Sequence, residues 1–280
     1  MANFSTGVLQ GVALYTGGVV PLCSAISGGA FTWNVNNIVV KGIGGQRVVR
    51  KGTSSLEISL SCIGTRADFL QAFFPTSAGA AVAGVPDLLV DQGGSSFILY
   101  GVQPASASIS VAEGLDSVCT EELSLIAAGY TAASGTISYQ GLPSTINQIC
   151  VEIGETPVDV MSFTISSDLS SEIVNLMNCK ASGSQTFPSA IIPTDQEISF
   201  SMTTTEPFGA NLADDCHTEL DLSIEMTTCG TGSTRTISIS NLVPGQLNVP
   251  FEADGGIVGY AHEYTIGDGT TYNRVTIADA

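Results

Sequence analysis

The feature that most constrains this chain is that it repeats itself. Glu57-Ile58-Ser59-Leu60-Ser61 recurs as Glu197-Ile198-Ser199-Phe200-Ser201. The spacing, 197 − 57 = 140, is half of the 280-residue length. The same spacing carries the segment 97–104 onto 237–244, proline onto proline at Pro104 and Pro244. Glu122-Leu123-Ser124-Leu125 matches Glu263-Tyr264-Thr265-Ile266 at a spacing of 141. Near the start of each half, Phe31-Thr32-Trp33 resembles Phe163-Thr164-Ile165 at a shorter spacing of 132. Matches in one order at nearly one offset predict a duplicated domain. The boundary is expected near Gly141-Leu142-Pro143-Ser144, giving units 1–142 and 143–280.

The repeated segments alternate. Leu56, Ile58 and Leu60 fall on one face, and Glu57, Ser59 and Ser61 on the other. In the second copy Ile198, Phe200 and Met202 oppose Glu197, Ser199, Ser201 and Thr203. A period of two is the mark of a strand with one dry and one wet face. Segments 108–111 and 221–226 repeat it. Glycine clusters at 42–45, 91–94, 230–233, 254–256 and 267–269 read as turns. One segment departs: Phe69, Leu70 and Phe73 stand at helical spacing ahead of Pro75. That predicts one short helix packed on a sheet. Its counterpart near 210–215 is weaker. The predicted fold is mainly β: two tandem β-sandwich or partial-barrel domains, each with at most one short flanking helix.

Composition narrows the function. Hydrophobic residues make up 44%, enough for a core in each half. Charged residues are 12%, about half of the roughly 25% usual in globular chains. The polar surface therefore falls to Ser, Thr, Asn and Gln. With 26 acidic residues against 8 basic, the net charge is -18. So few cations cannot neutralise many phosphates, and direct nucleic-acid binding is not expected. An acidic wall past which nucleic acid slides is compatible with this balance; so is acidity that serves solubility alone. The start, Met1 to Thr6, has no basic region followed by an apolar core, so no signal peptide is expected. No apolar run approaches the roughly 18 residues of a membrane helix. The expectation is a soluble chain made in a cytoplasm. Seven cysteines without a CxxC pair read mostly as buried thiols.

Candidate chemistry is sparse. His217 follows Asp214-Asp215 and Cys216, but no second histidine stands at ligand spacing. His262 aligns with Glu122 or its neighbour and reads as a strand-face residue. Neither a Gly-x-Ser-x-Gly elbow nor a phosphate loop is present. Glu121 and Glu122 point to opposite sides of a strand, which is wrong for shared acid–base work. The glycines at 42–45 open no helix. No catalytic residue, cofactor or metal site is expected, and the chain reads as a non-enzyme. Five of the eight basic residues fall between 41 and 66. Lys41, Arg47, Arg50 and Lys51 surround glycines in what reads as a loop. On so acidic a protein, that loop suits an interface with another copy of the chain. The alternative is a solvated loop.

An early strand at Phe31-Thr32-Trp33-Asn34 leads to the glycine-rich basic loop from Lys41 to Gly52. The strand Leu56 to Ser61, the helix around Phe69-Leu70 and closing strands near 97–100, 109–111 and 123–126 follow. In this order of elements the chain resembles phage major tail proteins, the subunits of the tail tube. That family is recognised by architecture more than by fixed residues. The resemblance implies a β-sandwich or partial barrel with a flanking helix, and rings whose strands line a channel carrying DNA to the host. It implies localisation in the virion tail after assembly in the host cytoplasm. The implied partners are other copies of the chain, the tape measure, the tail terminator, distal tail or baseplate proteins and, in a contractile tail, a sheath. A duplicated chain would form a pseudo-sixfold ring from three copies; a decorating second half would give six. Glu57, Ser59, Ser61, Glu197, Ser199 and Ser201 are the expected lumen-facing residues, past which DNA moves without specific binding. Lys41, Arg47, Arg50 and Lys51 are the expected ring-to-ring contacts. Unpaired sheet edges would act as joints in such a ring. Two rival readings stay open. A capsid decoration subunit or adhesin module explains the β pattern equally well. A hydrolase on a β scaffold would need a pocket of converging titratable groups.

Overall fold

A computed structural model describes residues 11–16, 18–41, 47–74, 85–92, 95–112, 118–135, 137, 146–174, 190–205, 220–228, 233–248, 259–266 and 275–280. The first half holds β1 (Gly11–Tyr15), β2 (Val19–Pro21), β3 (Cys23–Lys41), β4 (Arg47–Thr65), α1 (Ala67–Leu70) with a 3₁₀ turn Gln71–Phe73, β5 (Leu88–Asp91), β6 (Ser96–Val111) and β7 (Cys119–Ala133). The second holds β8 (Ile146–Ile153), β9 (Thr156–Val158), β10 (Val160–Val174), β11 (Ala190–Thr204), β12 (Leu220–Thr228), β13 (Thr234–Asn248), β14 (Tyr260–Ile266) and β15 (Val275–Asp279). The chain is mainly β, and all fifteen strands join one antiparallel sheet.

The two halves pair their strands in the same order. In the first, the neighbours run β2-β1-β5-β6-β7-β4-β3. In the second they run β9-β8-β12-β13-β14-β11-β10. β15 is an addition, paired to β13. Register follows the sequence offsets on β4 and β11. Ser61 faces Glu122 and Leu60 faces Leu123; Ser201 faces Glu263 and Phe200 faces Tyr264.

β6 and β13 share their irregularities. Each carries a left-handed residue, Gly101 and Asn241, both with φ of 60°. A side chain at 101 would put its Cβ 2.8 Å from that of Ala128, so glycine is required there. Asparagine is among the few other residues that tolerate this region. Each strand also shifts register after its proline, between Pro104 and Ser106 and between Pro244 and Gln246. Against their neighbours the two strands differ by two residues: Pro104 faces Leu125, whereas Pro244 faces Tyr264. An even slip leaves every side chain on its own face.

One early match is corrected. Phe31 faces Ile58, and Phe163 faces Met202. Since Ile58 corresponds to Ile198, and Ile198 faces Ser167, the register counterpart of Phe31 in the second half is Ser167 rather than Phe163. In a serine-rich alternating strand, a slip of four residues leaves the polarity pattern unchanged, so sequence could not fix it. The basic segment is corrected as well. Lys41, Arg47, Arg50 and Lys51 stand at the far end of the long β3–β4 hairpin, with Lys41 opposite Arg47, Ile38 opposite Arg50 and Asn37 opposite Lys51. The valines among them, Val39, Val40, Val48 and Val49, extend the pairing because β-branched residues favour strands.

The core is one hydrophobic cluster drawn from both halves. Leu56, Ile58, Leu123, Leu125, Ile109, Ile165, Phe200 and Ile224 are all 0–2% exposed. Burying each such side chain contributes about 1.5–3 kcal/mol. The expected helix is present and short. It ends at Phe74, whose φ of −124° and ψ of 72° leave the helical region, as a residue before proline tends to. It also ties the halves together. Gln71 donates from Nε2 to the Val275 carbonyl at 3.0 Å and accepts at Oε1 from the Ile277 amide at 2.8 Å. Ser167 donates to the Phe73 carbonyl at 2.7 Å. The expected boundary at 141–144, the weaker helix near 210–215 and His217 lie outside the described residues. Cys23, Cys62 and Cys119 are buried free thiols and Cys150 is half-buried; the other three cysteines lie outside the described residues.

Candidate functional site

Alternation places Glu57, Ser59 and Ser61 on the wet face of β4, and Glu197, Ser199 and Ser201 on the wet face of β11. The sheet then joins these two groups across the halves. The link is the pairing of β6 with β10, where Ile109 faces Ile165 and Ser108 faces Ser166. Following direct partners from strand to strand, Ser61 faces Glu122, which faces Ser108, then Ser166, then Ser199, then Thr265. A second row runs Ser59, Ser124, Ser106, Asp168, Glu197. A third runs Thr120, Ser110, Thr164, Ser201, Glu263. Directly opposed residues project to the same face, so all six expected residues belong to one surface.

That surface is built almost wholly of hydroxyls and carboxyls. Glu57, Glu122, Asp168, Glu197 and Glu263 are exposed on it. Hydroxyls satisfy one another: Ser27 Oγ donates to Ser61 Oγ at 2.8 Å, and Ser166 and Ser199 share a hydrogen at 2.7 Å. Among the described side chains the basic residues are Arg66 and Arg235, and both are engaged elsewhere. Arg66 pairs with Asp68 at 2.6 Å, and Arg235 with Glu121 at 2.8 Å and Asp279 at 2.6 Å. The middle of the wet face holds a shallow, open groove of about 800 Å³, lined by Gly28, Ser61, Ser108, Glu122, Ser166 and Asp168 among others.

The sequence reading missed much of this surface. Ser106, Ser108, Ser110, Ser124, Thr164, Ser166, Asp168 and Thr265 share it. Their alternation was visible, but which strands become neighbours was not. Glu263 stood out only as part of the repeat, and Glu122 also as the partner of Glu121 on the opposite side of its strand, where the structure places them, Glu121 buried and Glu122 exposed. The side chains of Lys41, Arg47, Arg50 and Lys51 lie outside the described residues; their backbone places them at the hairpin end, away from the three rows.

His262 corresponds to Glu121, the neighbour of Glu122. Met202 faces His262 as Cys62 faces Glu121. Both polar groups are buried on the dry face, at 1% and 0% exposure. His262 Nε2 lies 3.1 Å from Thr204 Oγ1, and its ring stacks on Tyr264. Burial pushes its pKa below the usual histidine value. Glu121 Oε2 accepts from the Thr65 amide and hydroxyl, each at 3.0 Å. These groups are held inside the core rather than facing a cleft. Among the described residues, no group of three or more His, Cys, Asp or Glu is placed to hold a metal ion. No helix among them is long and apolar enough to cross a membrane. No family model matches the chain, and no curated protein matches it significantly.

Proposed function

We propose that this chain is the subunit of a bacteriophage tail tube, with two copies of one tube domain fused in tandem. The observation that carries the reading is the continuous wet face. It crosses six strands, draws on both halves and holds five carboxyls with no basic side chain among the described residues. Duplex DNA carries one negative charge per about 1.7 Å of axis. A conduit for it must be polar enough to stay wet and must offer no cation that would hold phosphate. Hydroxyls and carboxyls on one continuous sheet face meet both demands. Glu57, Ser59, Ser61, Glu197, Ser199 and Ser201 line the lumen, joined by Glu122, Asp168 and Glu263. The basic hairpin end contacts the next ring. Rings stack with further tail proteins in the virion, and DNA passes without specific binding. The matching strand order of the two halves supports duplication, with three chains per ring.

Charge reversal tests the lumen assignment. Glu57→Lys with Glu197→Lys leaves an exposed surface and no buried group changed, so tubes still assemble. Phage carrying the pair should eject DNA more slowly in a single-particle assay. Ejection at the unaltered rate from intact tubes would remove these strands from the lumen. A decoration subunit or adhesin would instead give discrete oligomers with no channel.

A further inference from the structure

The joint between the halves implies the joint between chains. Within the chain, the late part of β6 pairs with the outer edge of β10 over six residue pairs, from Val111 opposite Phe163 to Ser106 opposite Asp168. β5 occupies that same edge of β6 further back, at Ser96 to Leu99. By strand order, β13 corresponds to β6 and β3 to β10. Among the described residues, β3 pairs with β4 alone. Among the described residues, β13 beyond Leu242 pairs with β14 alone, the β12 pairing being described as far as Leu220 opposite Leu242. Among the described residues, the two edges that make the internal joint therefore recur without a partner strand, one on each side of the sheet.

We propose that the β3 edge of one copy, Ile26 to Thr32, pairs antiparallel with the β13 edge of a second copy, Pro244 to Asn248, as β10 pairs with β6. Burial supports the match. On β10 the dry-face residues Phe163 and Ile165 are 2% and 0% exposed. On β3 the dry-face residues Ile26 and Phe31 pack on the core but stay only partly buried, as expected where a neighbouring strand is missing. An open edge of this length is an association site in any β protein. The contact is heterologous, so each copy keeps one edge to offer and one to accept, and repeating it closes a ring or runs on as a filament. The partner is thus a second copy of this chain. The proposal rests on the tail tube reading for its ring, but on strand pairing for its edges.

Gln246 faces Glu263 as Ser108 faces Glu122, and Ala30 faces Ser59 as Ser166 faces Ser199, so Gln246 corresponds to Ser108 and Ala30 to Ser166, which face each other in the internal joint. Both Ala30 and Gln246 are exposed on the single chain. Ala30→Cys and Gln246→Cys are made in separate chains, mixed, assembled and treated with a short bis-maleimide. The expected result is a two-chain band in the mixture, above the background of the wild-type chain and of either variant alone. A register slip of two residues would move that band to a mixture using Thr32→Cys, with the same edges. No band from either mixture in assembled tubes would overturn the joint and leave the tube reading standing. Equal bands from one variant alone would show a twofold contact and also overturn it. Chains that stay monomeric by light scattering at all concentrations would overturn both.

Discussion

Arg235 on β13 reaches Glu121 on β7 across the two halves, Nη1 to Oε1 at 2.8 Å, and the glutamate side chain is wholly excluded from solvent. The same guanidinium holds Asp279 through Nε at 2.6 Å. Such a pair contributes little net stability beyond an apolar replacement, but removing one partner strands the other charge. Here the stranded group would sit where the first half meets the second, so the ion pair fixes how the units meet.

Arg235→Met should lower the unfolding free energy by about 3–5 kcal/mol near neutral pH. Burial, the largest influence, raises the Glu121 carboxyl above its ordinary range, while Arg235 and Thr65 pull it down. A carboxyl raised in the folded chain holds its proton more tightly there than when unfolded. Its contribution is therefore most favourable at low pH and is lost as pH rises from the ordinary glutamate value through the raised one. Without Arg235 that window extends further up. The cost of the substitution should shrink from about pH 8 to about pH 5. Urea midpoints of both proteins at the two pH values check this, and an equal cost at both would contradict it.

His262 titrates in the opposite sense. Burial depresses its pKa below 6.5. Stability from the neutral ring is fully present above the unfolded value and declines as pH falls below it toward the folded one. His262→Gln keeps a polar group beside Thr204 and cannot take up a proton. Thermal midpoints measured from about pH 7.5 to about pH 5 should fall less steeply in the variant. Parallel curves would show that His262 takes up its proton alike in the folded and the unfolded chain and would contradict the depressed value.

The basic hairpin end should govern stacking rather than folding. Reversing Lys41, Arg47, Arg50 and Lys51 to glutamate removes the main cluster of cations that the acidic surface can meet. Rings should persist while tube length, measured by electron microscopy, drops several-fold. Tubes of full length would assign ring-to-ring contact elsewhere.

How much of this was legible in sequence depended on the kind of signal. The wet face of β4 and β11 could be read because alternation is local, and the spacing of 140 marked β4 against β11 and Pro104 against Pro244. The short helix was read from Phe69, Leu70 and Phe73 with Pro75 behind them. Phe31 and Phe163 were mismatched because polarity repeats every two residues, so a four-residue slip is invisible. The basic stretch reads as a loop in sequence because its glycines at 42–45 mask the strand preference of the flanking valines, which pair in the structure. Asp168 and Ser108 were missed because the β6–β10 pairing depends on backbone edges, which carry no residue signature. Arg235 and Glu121 stand 114 residues apart, and nothing local in either segment names the other.

The most direct measurement is electron microscopy of the purified chain across a concentration series, with end-on averaging of the particles. The expected result is hollow tubes whose rings show threefold symmetry with a pseudo-sixfold wall, two units from each chain, and an open lumen lined by the wet face. Monomers or small closed oligomers without a channel at every concentration would contradict the tail tube reading.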